Sequence, residues 1–177
     1  MLSLAILKEM GPWGSRPVFP ETWDLLEQLT FTATDPEVLS GVLACLGWTC
    51  KPRALPTLLR FASHRHPYAR VVVADNLLKC AVRIHDPVVV DALVRLSDDP
   101  DEDVRWSAFY DVAEWITIDT PEIVSLLGRR SMDRDPEVRK LAVGMRQKWL
   151  RRTRSRESSA TTRPGAKRRQ KLTPWPH

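Results

Sequence analysis

The residues best equipped for chemistry lie mid-chain. His64-Arg65-His66 offers two imidazoles, with His85 and Cys80 as further donors, a set that would suit a transition metal if it converged. Two histidines in one flexible turn do not close a site, however, and Cys45 and Cys50 lack a second pair at zinc spacing. Asp98, Asp99, Asp101, Glu102 and Asp103 form an acidic run that could attract calcium, but the run lacks the glycine and terminal glutamate of a helix–loop–helix calcium loop. A solvated turn that caps a helix explains it better. The sequence contains no phosphate-cradling glycine-rich loop and no nucleophile elbow. These residues predict no catalytic group, no metal site and no cofactor.

The elements that must position them repeat. A proline opens an apolar helical pattern at Pro20, Pro52, Pro87 and Pro121, at spacings of 32, 35 and 34 residues. Proline suits a first helical turn because its missing N–H would be unpaired there, and Asp86 and Thr120 stand before two of these prolines as N-caps. A polar turn and a second helix follow each time, starting near Asp35, His66, Asp101 and Asp135. In each second helix, four positions share an inward face at helical spacing: Val38, Val42, Cys45 and Leu46; Ala69, Val73, Asn76 and Leu77; Val104, Ala108, Asp111 and Val112; Val138, Ala142, Met145 and Arg146. Cys45 therefore reads as a small buried hydrophobe, and His64 and His66 as substitutes for the turn and cap aspartates of the other units.

Two other positions of each second helix point away from that face: Ser40 and Ala44, Val71 and Asp75, Trp106 and Tyr110, Lys140 and Gly144. Trp106 and Tyr110 are four residues apart, so their rings should lie side by side. Exposed paired aromatics are typical of binding hot spots. With Val71 beside them and Asp75, Asp103 and Glu114 around, the patch suits an apolar or basic peptide segment. The alternative is that the rings fold onto a neighbouring helix or lie beneath the N-terminal segment around Trp13.

The runs Asp133-Arg134-Asp135-Pro136-Glu137-Val138-Arg139 and Asp98-Asp99-Pro100-Asp101-Glu102-Asp103-Val104-Arg105 resemble the second-helix signature of HEAT repeats, over about residues 20 to 149. The resemblance implies an all-α fold, a right-handed α-solenoid of about four helical hairpins, with the second helices lining a concave face that binds protein or peptide segments. It also implies a ladder between repeats from turn aspartates to second-helix arginines: Asp99 with Arg105, Asp133 with Arg139, and His64 in the aspartate position before Arg70. Arginine's planar, permanently charged fork suits such pairing. The first unit has Ala33 and Leu39 there, so the ladder should end before it. Some HEAT-like proteins are DNA glycosylases with a basic concave surface. This chain offers Lys140 there and little else, and Asp111, which would pair with Trp106 as the acid, falls on the inward side. A phycobilin-lyase role has no residue in its favour.

The net charge of +5 over 177 residues divides unevenly. Residues 151–177 hold nine basic side chains and one acid, a balance of +8, which leaves 18 basic and 21 acidic residues, or −3, in residues 1–150. Arg151, Arg152, Arg154, Arg156, Lys167, Arg168, Arg169 and Lys171 make this stretch attractive to any polyanion, whether nucleic acid, anionic lipid or an acidic protein surface. Its lack of large apolar residues predicts disorder. The expected organisation is an N-terminal segment over 1–19, repeats over 20–149 and a basic tail over 150–177. The chain has no long apolar run, three cysteines and no export signal, so we expect a cytoplasmic protein without a membrane span. Its expected partner is a protein or peptide, with nonspecific nucleic-acid association through the tail; its oligomeric state is left open.

Overall fold

The computed structural model describes residues 20–117 and 120–161. Eight α-helices fill them: α1 (Pro20–Thr32), α2 (Pro36–Trp48), α3 (Leu55–Phe61), α4 (Pro67–Cys80), α5 (Pro87–Leu96), α6 (Glu102–Trp115), α7 (Pro121–Arg130) and α8 (Pro136–Thr161). A 3₁₀ turn, Pro52–Ala54, leads into α3, so the second proline mark opens a tighter turn before the helix proper. The chain divides into a unit ending at Met145 and a second unit beginning at Arg146.

Within the first unit, α1 packs on α2, α3 on α4 and α5 on α6, giving antiparallel hairpins that stack in chain order to form an α-solenoid. The second helices make the tightest column, α2 against α4 and α4 against α6. At Gly47 the approach is so close that a Cβ would overlap the Asn76 side chain. A continuous apolar core runs through the stack, with Leu43, Leu46, Leu58, Val73, Leu77, Leu93, Phe109 and Leu126 fully buried.

The turns are fixed by side chains accepting backbone N–H groups. Asp35, Asp86, Asp101 and Thr120 each cap a helix, and Asp135 accepts from Glu137 N at 2.8 Å. Two residues before the second-helix cap, Asp99 and Asp133 accept the N–H of Asp101 and Asp135 at 2.9 and 3.0 Å. His64 does the same through Nδ1, accepting from His66 N at 3.2 Å. His66 differs from its aspartate counterparts: its side chain makes no capping bond, and its Nδ1 is buried without a hydrogen-bond partner among the described residues.

Arg70, Arg105 and Arg139 stitch these turns together. Each donates through Nη1 to the two turn carbonyls five and six residues before it, Arg70 to His64 and Arg65, Arg105 to Asp99 and Pro100, and Arg139 to Asp133 and Arg134, at 2.6–3.2 Å. The rest of the fork reaches onward. Arg70 grips Asp99 of the next turn with two 2.7 Å bonds, and Arg105 Nε lies 3.4 Å from Asp133. The carboxylate partner therefore belongs to the following repeat, while within a repeat the arginine meets only the turn's carbonyls. Arg130 adds a contact from α7, binding Asp133 at 2.5 Å and Asp98 at 2.8 Å, and Arg129 holds Asp98 with two bonds. In the first unit Leu39 occupies the arginine position and is buried in the core.

Three expectations about exposure and order change. Ser40 is buried, because its hydroxyl donates to Pro36 O at 2.7 Å and so needs no water. Val71 is half-buried against the core instead of projecting from it. The tail does not begin as disordered chain at residue 150: α8 continues to Thr161 and carries Arg151, Arg152, Arg154 and Arg156 in helix. Once a helix is nucleated by folded residues, extending it costs little, and arginine propagates helix well. Lys167, Arg168, Arg169 and Lys171 lie outside the described residues, as does Trp13.

The Arg70 and Asp99 side chains keep only 11% and 9% of their exposure, whereas the Arg53–Asp24 pair keeps 51% and 72%. Asp99→Ala, which leaves a desolvated guanidinium half-satisfied, should destabilise the fold by about 3 kcal/mol. Asp24→Ala should change stability by less than about 0.5 kcal/mol. Urea unfolding followed by circular dichroism checks both, and equal effects would remove the distinction drawn here.

Candidate functional site

The second helices present their remaining side chains along one face. On α6, Trp106 and Tyr110 stack with ring centroids 5.3 Å apart and an interplanar angle of 17°. Each is 40% exposed, so both rings reach solvent. Burying such rings is worth more than their area alone suggests, since stacked aromatics gain additional interaction energy.

Beside them lies a polar group shared by α4 and α6. Asp75 accepts a short hydrogen bond from Ser107, and Lys79 donates to Asn76 at 3.3 Å. Asn76 is buried, with its amide donating to Val72 O at 2.7 Å. Asp111, one turn along α6 from Ser107, is half-buried. Burial pushes its carboxyl up to about 7; Lys79 opposes the rise and Asp75 adds to it. The inward orientation read from helical spacing thus leaves a carboxyl next to like charge, a property that spacing alone does not reveal. Asp133 goes the other way. Burial alone would raise it, but the Asp135 N–H and the Arg105 and Arg130 guanidiniums outweigh that and hold it below the ordinary carboxylate range.

Lys140 is exposed on α8 and pairs with Glu137 at 3.5 Å, so it does not converge with the aromatic pair by any bond described. Two hollows indent the face. One, of about 1110 Å³, lies between α2 and α4 and is lined by Glu37, Trp48, His66, Tyr68, Asp75 and Lys79, with the buried Ser40 at its wall. The second, of about 440 Å³, lies between the start of α6 and the turn before α8, with Asp103, Trp106, Arg134 and Glu137 in its lining. The sequence reading missed the first hollow. Val72 lines it, whereas its neighbour Val71 was expected beside the Trp106–Tyr110 pair, and Tyr68, 53% exposed, was not singled out. The signal for Tyr68 was present in the helical spacing, since Tyr68, Val72, Asp75 and Lys79 fall at intervals of four, three and four.

Among the described residues, no group of three or more histidine, cysteine or acidic side chains is placed to hold a metal ion. His85 is engaged elsewhere, its Nε2 lying 3.0 Å from Thr117 Oγ1. Cys45, Cys50 and Cys80 form no disulfide, and burial pushes the Cys80 thiol up to about 12, leaving it a poor nucleophile. No helix among the described residues is long and apolar enough to cross a membrane.

A family model for HEAT repeats matches residues 23–113, which run from α1 into α6. The turn before α8 lies beyond the match, yet Arg139 repeats there the carbonyl contacts of Arg70 and Arg105. No curated protein matches the sequence.

Because the folded Asp111 carboxyl titrates near 7 and a free one near 3.8, the folded chain holds the extra proton between these values. That contribution to stability is complete below the lower value and is lost as pH rises through the upper one. Asp111→Asn should therefore gain on the parent chain between pH 5 and pH 8, by roughly 2–4 °C in Tm for each kcal/mol removed in a domain of this size. An offset identical at both pH values would contradict the assignment.

Proposed function

Since the chain belongs to the HEAT-repeat family, whose members typically serve as protein-interaction scaffolds, we propose that it is a noncatalytic adaptor that holds a partner segment along its second-helix face. The observation that carries the reading is the solvent-exposed Trp106–Tyr110 stack on α6. Val71, Asp75, Trp106, Tyr110 and Lys140 are the proposed partner-binding residues, with Val71 supporting the aromatic pair from its half-buried position. Arg70, Asp99, Arg105, Asp133 and Arg139 are proposed to be structural, since the three arginine forks are occupied by turn carbonyls, and those of Arg70 and Arg105 also by the Asp99 and Asp133 carboxylates of the next turn.

A rigid stack suits this work because repeats that contact only their neighbours present an extended surface without reorganising. The partner then loses its own freedom while the scaffold loses little. A second reading rests on the basic stretch: Arg151, Arg152 and Arg154 on α8, with Arg156, Lys167, Arg168, Arg169 and Lys171, supply the charge for nonspecific attraction to nucleic acid. A glycosylase-like grip on duplex DNA has less support, because the second-helix face carries more acids than bases.

Affinity capture from the native cell, with full-length bait and nuclease treatment, tests the reading. The expected result is a protein partner that survives nuclease and falls at least tenfold with Trp106→Ala/Tyr110→Ala, while thermal stability stays within about 2 °C of the parent. Loss of all captured material on nuclease treatment would favour the nucleic-acid reading. A fall in stability of many degrees would return the rings to the core.

A further inference from the structure

The two hollows share a composition that points to the chemistry of the partner. The hollow between α2 and α4 sets Trp48 and Tyr68 beside the carboxylates of Glu37 and Asp75, with one lysine, Lys79, at its edge. The smaller hollow sets Trp106 beside Asp103 and Glu137, with one arginine. In both, an aromatic side chain and acids outnumbering bases line a recess between successive second helices. Carboxylates next to an aromatic face suit a guanidinium or ammonium group, which gains an ion pair and a cation–π contact while its methylene stem covers apolar surface.

We propose that the occupant of this face is a lysine- and arginine-bearing extended peptide segment of a partner protein, seating one basic side chain in the hollow between α2 and α4 and another in the hollow beside Trp106. This inference rests on the scaffold reading and adds the partner's charge and the anchor positions. Charge complementarity is the argument for it. An acidic segment would bring carboxylates against Glu37, Asp75, Asp103 and Glu137, and like charge set close across an interface works strongly against binding. An uncharged apolar segment would cover the Trp106–Tyr110 stack but desolvate those carboxylates without bringing a cation to them. His66 is a built feature of the first hollow: its ring lines the recess and its Nδ1 has no hydrogen-bond partner among the described residues.

The test uses the full-length chain and three fluorescein-labelled twelve-residue peptides of equal length and leucine content, carrying arginine and lysine, glutamate, or serine, followed by fluorescence anisotropy. The basic peptide should bind, and the glutamate and serine peptides should bind at least tenfold more weakly. Glu37→Lys and Tyr68→Ala, both at exposed positions, should each weaken the basic peptide at least fivefold. Asp91→Lys, which makes the same charge change on α5 outside both hollows, should weaken it less than twofold. Equal loss from Asp91→Lys would mean diffuse charge attraction and overturn the assignment of the hollows. Preference for the serine or glutamate peptide would overturn the basic-partner inference. In that case the scaffold reading still stands if cellular capture depends on Trp106 and Tyr110, and both fall together if it does not.

Discussion

The bidentate grip of Arg70 on Asp99 is the contact proposed to hold successive repeats in their stacked arrangement. Repeats with small cores cannot fix their own orientation, since an apolar interface between two helices tolerates sliding and rotation. A guanidinium that simultaneously meets two carbonyls of its own turn and a carboxylate of the next tolerates neither, because its donors lie in one plane at fixed angles. Arg105 repeats the arrangement one unit further on, with Asp133 as the acceptor. The same carboxylates also order their own turns by accepting the N–H two residues ahead. Each aspartate thus serves a turn within its repeat and a joint between repeats.

That dual use explains why the helix N-termini fall in register along one side of the stack. Register in turn aligns residues that are more than 30 positions apart in the chain: Asp75 with Ser107 and Trp106 with Glu137. No ladder residue belongs to the face that carries the proposed binding residues. At the first unit, Leu39 replaces the arginine and packs into the core, so α2 is joined to α4 by apolar contact and by the close crossing at Gly47 instead.

Much of this was legible in the sequence because the signals are local and repeated. Proline at the helix starts, aspartate at the caps and apolar residues at helical spacing each act within a single turn of chain, and together they fix four helical pairs. The arginine and aspartate spacing was legible as a motif, while the partner across the repeat boundary came from the family resemblance. What escaped were properties set by several elements at once. Ser40 looked surface-facing by position, but its hydroxyl is satisfied by its own helix and can be buried. Val71 and Val72 differ by one residue, a rotation of about 100°, and only the packing of α4 between two neighbours decides which lines the hollow. The shifted Asp111 carboxyl comes mainly from burial between packed helices, with Asp75 of another helix adding to it. The length of α8 is set by propagation from a folded start, which composition of the tail does not record.

A double-mutant cycle on Arg105 and Asp133, measured by urea unfolding of the full chain, tests the role of the ladder most directly. Arg105→Met, Asp133→Ala and the pair together should give a coupling energy of about 2 kcal/mol, with the double variant more stable than the sum of the single losses predicts. A coupling below about 0.5 kcal/mol would show that the arginines merely decorate joints held by apolar packing.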